Sequence, residues 1–147
     1  MIPRIVFLFD VDNTLLDNDQ IIKELRDFMT ATLGADQNKK YWEVFEQYRM
    51  EMGYADYLGT LQRFRKEVPH EPQLMLISSF LLNYPFKDRL FIDAIKVLHH
   101  AREWGDAVIL TDGDVVFQPL KIERSGIFSA VLGRVLIYVH KEQEVQD

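Results

Sequence analysis

No cysteine occurs in the 147-residue chain. That excludes disulfides and thiolate metal sites, and it fits a reducing compartment. Basic charge is short as well: Lys and Arg total 17 against 23 Asp and Glu, a net charge of −6. Nothing therefore marks a binder of nucleic-acid backbones. The apolar run ahead of Asp10, Ile5-Val6-Phe7-Leu8-Phe9, is too short for a membrane span or a signal-peptide core. A cytoplasmic protein is expected, with neither nucleic acid nor membrane as a partner. Internal repeats, low-complexity tracts and compositionally flexible linkers are absent too. With 48% apolar residues, the length suits one globular domain or a core with a modest insertion.

The most informative segment is Asp10-Val11-Asp12-Asn13-Thr14-Leu15. The β-branched and aromatic run before it predicts a strand buried on both faces. A buried strand that ends in two carboxylates and a threonine is costly unless something compensates. At a strand's carboxyl end in an open α/β sheet, the usual compensation is a metal and an anionic ligand. Side chains at i and i+2 of an extended segment point the same way, so Asp10 and Asp12 can address one site. The competing interpretation is a polar turn in which Asp12-Asn13-Thr14 caps the next helix.

Helical texture follows for a long stretch. Ile21, Ile22, Leu25, Phe28 and Met29 recur at helical spacing, with Asp17, Asn18 or Asp19 as N-cap and Gly34 as a stop. Further stripes run through Tyr41, Val44, Phe45, Tyr48 and Met52, then Tyr57, Leu58, Leu61 and Phe64, then Leu74, Ile77, Phe80 and Leu81. Their aromatics are most simply a helical core. From Asp88 strands and helices alternate. Leu90, Phe91, Ala94, Ile95, Val97 and Leu98 predict a helix closed by Gly105; Ala107-Val108-Ile109-Leu110 predicts a strand leading into Thr111-Asp112-Gly113-Asp114. Val115 to Arg124 reads as a helix, with Pro119 tolerable only near its first turn. Arg134 to Val139 reads as a third strand, with His140 and Lys141 at its end. Such alternation implies parallel pairing and right-handed crossovers.

Phe9-Asp10-Val11-Asp12-Asn13-Thr14-Leu15 resembles motif I of the haloacid dehalogenase-like (HAD) hydrolases. The resemblance implies a Rossmann-like α/β core, a parallel sheet with helices on both faces, and an α-helical cap inserted between motifs I and II. Residues 1–16 and 86–147 would form that core and residues 17–85 the cap. In the family the first aspartate, here Asp10, is the nucleophile that attacks phosphorus. The second, Asp12, is the general acid/base. An ionised aspartate beside a cation can attack, and a protonated neighbour can donate to a leaving alkoxide.

Motif II is a hydrophobic strand ending in Thr or Ser, and Ile109-Leu110-Thr111-Asp112-Gly113 is similar to it. Thr111 would bind the transferring phosphoryl group, joined by Asp112 and Gly113, whose small size would let backbone N–H groups approach an anion. Asp112 and Asp114 could equally cap the following helix. Motif III is a lysine that neutralises nucleophile and phosphate. Lys141, after the third strand, is the choice; Lys121 is the alternative, though beside Glu123 in mid-helix a solvated surface lysine is expected. His140 could orient a phosphate. His99 and His100 are adjacent and face apart on a helix, which argues against a shared metal.

The implied chemistry is phosphate monoester hydrolysis through an aspartyl-phosphate, on a small phosphorylated metabolite. The implied cofactor is Mg²⁺, bound by Asp10 and by the backbone carbonyl of Asp12. Family members continue past motif III to a strand ending in an acidic motif IV. Here Glu142, Glu144 and Asp147 do not match it, so the C-terminal strands of the core are expected to be absent. The first strand would then have an open edge, a place where homo-oligomers could form. Three rival readings stand beside this one. A haloacid dehalogenase branch would lack the acid at Asp12. A phosphorelay receiver would carry its phosphorylated aspartate on a later strand. The third is a catalytically silent HAD-like fragment or binding module.

Overall fold

The computed structural model describes residues 4–145; Asp147 lies outside them. Two compact units result, one of Met1–Asp19 with Pro85–Asp147 and the other of Gln20–Tyr84. In the first unit β1 (Val6–Phe9), β2 (Asp106–Asp112) and β3 (Val135–Tyr138) form a parallel sheet of order β1-β2-β3. Val6 pairs with Asp106 and Phe9 with Ile109; Ile109 pairs with Val135 and Asp112 with Tyr138. Parallel pairing in that register brings the carboxyl ends of all three strands to one edge of the unit. The residues that follow each strand are thereby gathered.

β1 departs from the expectation of burial on both faces. Ile5, Val6 and Leu8 are about half exposed, at 52%, 53% and 51%. The physical reason is its position: among the described residues β1 pairs only with β2, so it is an edge strand. The central strand β2 is the buried one, with Ala107 and Ile109 fully enclosed. The start of β1 lies so close to the chain entering β2 that a Cβ on Gly105 would meet the Ile5 carbonyl oxygen. That carbonyl accepts from the Asp106 N–H at 2.9 Å.

α5 (Ala94–Trp104), α6 (Phe117–Ser125), α7 (Ile127–Ala130) and α8 (Lys141–Glu144) complete this unit. Leu90 and Phe91, expected in α5, lie outside it. A 3-10 turn, Phe86–Arg89, precedes them, and the chain is then tied to the segment after motif I. Phe91 N–H donates to Leu15 O at 3.0 Å, and Asp17 N–H to Arg89 O at 2.8 Å. The two backbone crossings thus clip together residues more than seventy positions apart. α7 was not legible as a helix, being a single turn launched by Gly126, which is in the left-handed region at φ 91°.

The second unit contains most of α1 (Asn18–Leu33), with α2 (Ala35–Met52), α3 (Tyr57–Phe64) and α4 (Leu74–Leu82). Its core is aromatic. Tyr41, Trp42, Phe45, Tyr57 and Phe64 pack ring against ring, Phe45 stacking on Tyr57 with centroids 5.2 Å apart. Arg26 lies 3.8 Å above the Trp42 ring, and Phe28 stacks on Phe80. Such offset and edge-on contacts add to the burial of large rings. No helix among the described residues is long and apolar enough to cross a membrane.

Candidate active site

Asp10 follows β1 directly, and both of its carboxylate oxygens are engaged. Oδ1 accepts from Lys141 Nζ at 2.5 Å, and Oδ2 accepts from the Thr14 hydroxyl at 3.1 Å. Lys141 reaches Asp10 because β3 ends three residues before it and α8 begins at it. Its Nζ also lies 3.5 Å from the Leu110 carbonyl. The Asp10 and Lys141 side chains keep 37% and 22% of their surface exposed, so an incoming ligand can reach the pair. A shallow cavity of about 230 Å³ opens there, lined in part by Leu8, Asp10, Leu110 and Lys141.

Two residues on, Asp12 has its own lysine. Lys121 Nζ donates to Asp12 Oδ1 at 2.7 Å and to Asn18 Oδ1 at 2.9 Å. Lys121 is 1% exposed, against the expectation of a solvated surface lysine. Burying an ammonium is costly unless it is paired and hydrogen-bonded, and these two partners supply that. Gln118, one helical turn earlier and also buried, donates from Nε2 to Thr111 Oγ1 at 3.1 Å. A longer contact of 3.5 Å runs from the same nitrogen to Asp12 Oδ2.

Asn13 joins the motif to the helix behind it. Its φ of 58° is left-handed, which asparagine tolerates better than most residues. Its Oδ1 accepts from the N–H groups of Asn18 at 2.9 Å and Asp19 at 3.1 Å. Asn13 thus satisfies two backbone N–H groups at the start of α1. The polar-turn interpretation of motif I therefore holds for Asn13, whereas Thr14 donates to Asp10 and Asp12 pairs with Lys121.

Thr111 ends the buried part of β2 at 2% exposure. Its neighbours are committed elsewhere. Asp112 Oδ1 accepts from the backbone N–H of Lys141 at 2.7 Å, and so fixes the start of α8. Asp114 caps α6 through the N–H groups of Val116 and Phe117, at 2.8 and 2.6 Å. Gly113 was expected to let backbone N–H groups approach an anion closely; its own N–H donates to the Tyr138 carbonyl at 3.1 Å, extending the β2–β3 pairing. The glycine is needed for another reason: a Cβ there would lie 2.7 Å from Gln118 Cγ. His140 is exposed, and His100 contacts Glu103 at 3.1 Å on the surface of α5.

No protein-family model matches the chain, nor does any curated protein. Solved structures do. A haloacid dehalogenase-like hydrolase from Burkholderia xenovorans LB400 is 55% identical, with a TM-score of 0.91 over 98% of this chain and 67% of its own. The chain belongs to the haloacid dehalogenase-like hydrolases. Two more distant structures share the fold: a haloacid dehalogenase-like family hydrolase from Xanthomonas campestris and the HAD-hydrolase YfnB from Bacillus subtilis. Each is 18% identical, with TM-scores of 0.69 and 0.55 over 96% and 90% of this chain, and YfnB was bound to magnesium. The chain spans about two thirds of the length of these three proteins, at 67%, 65% and 62%.

The structure pairs Asp10 with Lys141 and links Asp12 to Thr111 through Gln118. It adds Thr14, Asn18 and Gln118, to which the sequence pattern had given no role, and Lys121, which the sequence offered only as the alternative to Lys141. Among the described residues no group of three or more His, Asp or Glu side chains is arranged to hold a metal ion. The oxygen donors present, the Asp10 carboxylate and the Asp12 carbonyl, are hard ligands. They suit Mg²⁺, which keeps several waters and takes few protein ligands.

Proposed function

We propose that this chain carries a Mg²⁺-dependent phosphate monoester hydrolase site that works through an aspartyl-phosphate on Asp10. The observation that carries this reading is the Asp10 carboxylate, held by Lys141 and Thr14 at the end of β1 with a second carboxylate two residues on. A carboxylate oriented by fixed donors and still open to solvent suits nucleophilic attack.

In this reading an oxygen of Asp10 attacks phosphorus and the bond to the ester oxygen breaks. The Asp12 carboxyl gives its proton to the departing alkoxide. Asp12 then takes a proton from water, which attacks the phosphorus of the aspartyl-phosphate and restores Asp10 while freeing inorganic phosphate. The Thr111 hydroxyl donates to a phosphoryl oxygen, and the Lys141 ammonium balances its charge. Mg²⁺, held by the Asp10 carboxylate and the Asp12 carbonyl, would neutralise charge on the transferring group. The acid at Asp12 argues against carbon–halide hydrolysis. Residues 17–85 would be the cap insertion whose side chains choose a small phosphorylated metabolite, and the lack of cysteine suits a cytoplasmic enzyme.

The test is hydrolysis of p-nitrophenyl phosphate by the full-length protein under Mg²⁺ titration. Metal-dependent turnover is expected. Absence of turnover at every metal concentration would make the chain a non-catalytic binding module with this fold.

A further inference from the structure

We infer that Gln118 and Lys121 are positioning residues, which together hold the Asp12 carboxylate and the Thr111 hydroxyl in their working orientations. This rests on the hydrolase reading and deepens it. The two side chains stand three residues apart on α6, so they share a face. Both are buried, at 3% and 1% exposure. Lys121 fixes Asp12 Oδ1 from one side and is itself fixed by Asn18. Gln118 spans the gap from Thr111 Oγ1 to Asp12 Oδ2.

The polarity of that bridge matters. An amide nitrogen only donates, so Thr111 Oγ1 acts as acceptor toward Gln118. Its own proton, directed to the Asp112 carbonyl at a long 3.3 Å, remains available for a phosphoryl oxygen. Asp12 is held at Oδ1 by a charge-assisted bond, which leaves Oδ2, with its one long contact, as the oxygen that can exchange protons with a ligand. Stability alone would not select this arrangement. An apolar side chain of similar volume would fill the Lys121 position without the desolvation cost of an ammonium. A carboxylate aimed at a reacting atom does require such a clamp, because a misplacement of about 1 Å can cost about a hundredfold in rate.

The test uses the full-length protein with Mg²⁺, the variants Lys121→Met, Lys121→Arg and Gln118→Leu, and two substrates. One is p-nitrophenyl phosphate, whose leaving group needs no proton; the other is an alkyl phosphate, whose leaving group does. For Lys121→Met, kcat/KM, which reports the steps up to formation of the aspartyl-phosphate and not its later hydrolysis, should fall about 10–100-fold on the alkyl ester and under about threefold on the aryl ester. Lys121→Arg, which keeps the cation, should recover part of the loss. Equal losses on both esters, or none, would overturn the inference. Should Lys121→Met fail to fold, Gln118→Leu carries the comparison: both esters should lose rate through the displaced Thr111 hydroxyl, and the alkyl ester should lose more through the displaced Asp12. A second readout is independent of turnover: carbon NMR of the aspartate carboxyls should show Asp12 shifted in a folded Lys121 or Gln118 variant and Asp10 unmoved. An unshifted Asp12 would sink the inference even in an active enzyme. A shifted Asp12 in a protein that hydrolyses no phosphate ester would uphold the clamp and remove only the hydrolase reading.

Discussion

Gln118 fills the space that any side chain on Gly113 would need. A Cβ on Gly113 would stand 2.7 Å from Gln118 Cγ and 2.8 Å from its Cβ, both near the root of the side chain. Relief would require moving Gln118 itself, and with it the contacts to Thr111 and Asp12. The loop after β2 and the first turn of α6 are therefore matched to each other, and the site depends on that match.

Gly113→Ala should destabilise the protein by about 1–3 kcal/mol, the usual cost of overpacking. It should also lower turnover by displacing the donor to Thr111. Denaturant midpoints and steady-state rates on one preparation check both. Wild-type values for each would mean that Gln118 adjusts freely and that the close fit is incidental.

Asp10→Asn should abolish nearly all turnover while leaving the fold intact. Its ion pair with Lys141 is partly open to solvent, so the stability change should stay within about 1 kcal/mol. Trapping of a phosphoryl-enzyme from a labelled substrate should succeed in the parent and fail in the variant. Phosphatase activity at the parent's level would remove Asp10 from the role of nucleophile.

Asp12→Asn should slow hydrolysis of esters with poor leaving groups by about 10²–10⁴-fold. It also leaves the buried Lys121 ammonium facing a neutral amide, at a cost of about 1–3 kcal/mol. Adding Lys121→Met to that variant should recover stability without recovering rate, because the orphaned charge is gone and the acid is not restored. Additive stability losses in the double mutant would show that the two side chains are not coupled.

The carboxyl-end residues were legible because each closes a run whose period is plain: Asp10 after Ile5–Phe9, Thr111 after Ala107–Leu110, and Lys141 just past the third strand. Gln118 was not, and Lys121 stood only as the alternative to Lys141, with a solvated fate expected for it. A stripe read by polarity picks out Phe117 and Ile122 and leaves the residues between them to solvent. Read by position, Phe117, Gln118, Lys121, Ile122 and Ser125 form one helical face, and all five are buried. Partners remote in sequence meet that face: Asp12 and Asn18 bond Lys121, Asp12 also lies by Gln118, and Phe86 packs edge-on against Phe117. The half-exposed β1 has the same origin, since a strand's composition does not say how many neighbours it has. Asn13 escaped as a contributor to the capping of α1 because it lies several residues ahead of the helix, whereas an N-cap is ordinarily the residue just outside it.

In the helical unit Tyr41 should govern part of the alkaline stability. Burial, then the nearby Tyr57 and Asp56, push its phenol well above the ordinary value. Its hydroxyl donates to the Tyr57 carbonyl at 2.8 Å, a bond only the neutral form can make. In the unfolded chain the group ionises near pH 10, as a free tyrosine does. Below that pH both states hold the proton, and Tyr41 contributes its full stabilisation. Above it the unfolded state binds fewer protons than the folded state, so stability falls as pH rises, until the folded phenol itself ionises. The slope from this one group is about 1.4 kcal/mol per pH unit. Tyr41→Phe should lose about 1 kcal/mol near neutrality through the missing hydrogen bond. It should then decline less steeply than the parent above pH 10 or so, narrowing the gap between the two. Urea midpoints for both proteins, taken from neutral to strongly alkaline pH, measure this directly. Parallel curves across the whole range would show that Tyr41 is not the group that titrates on unfolding.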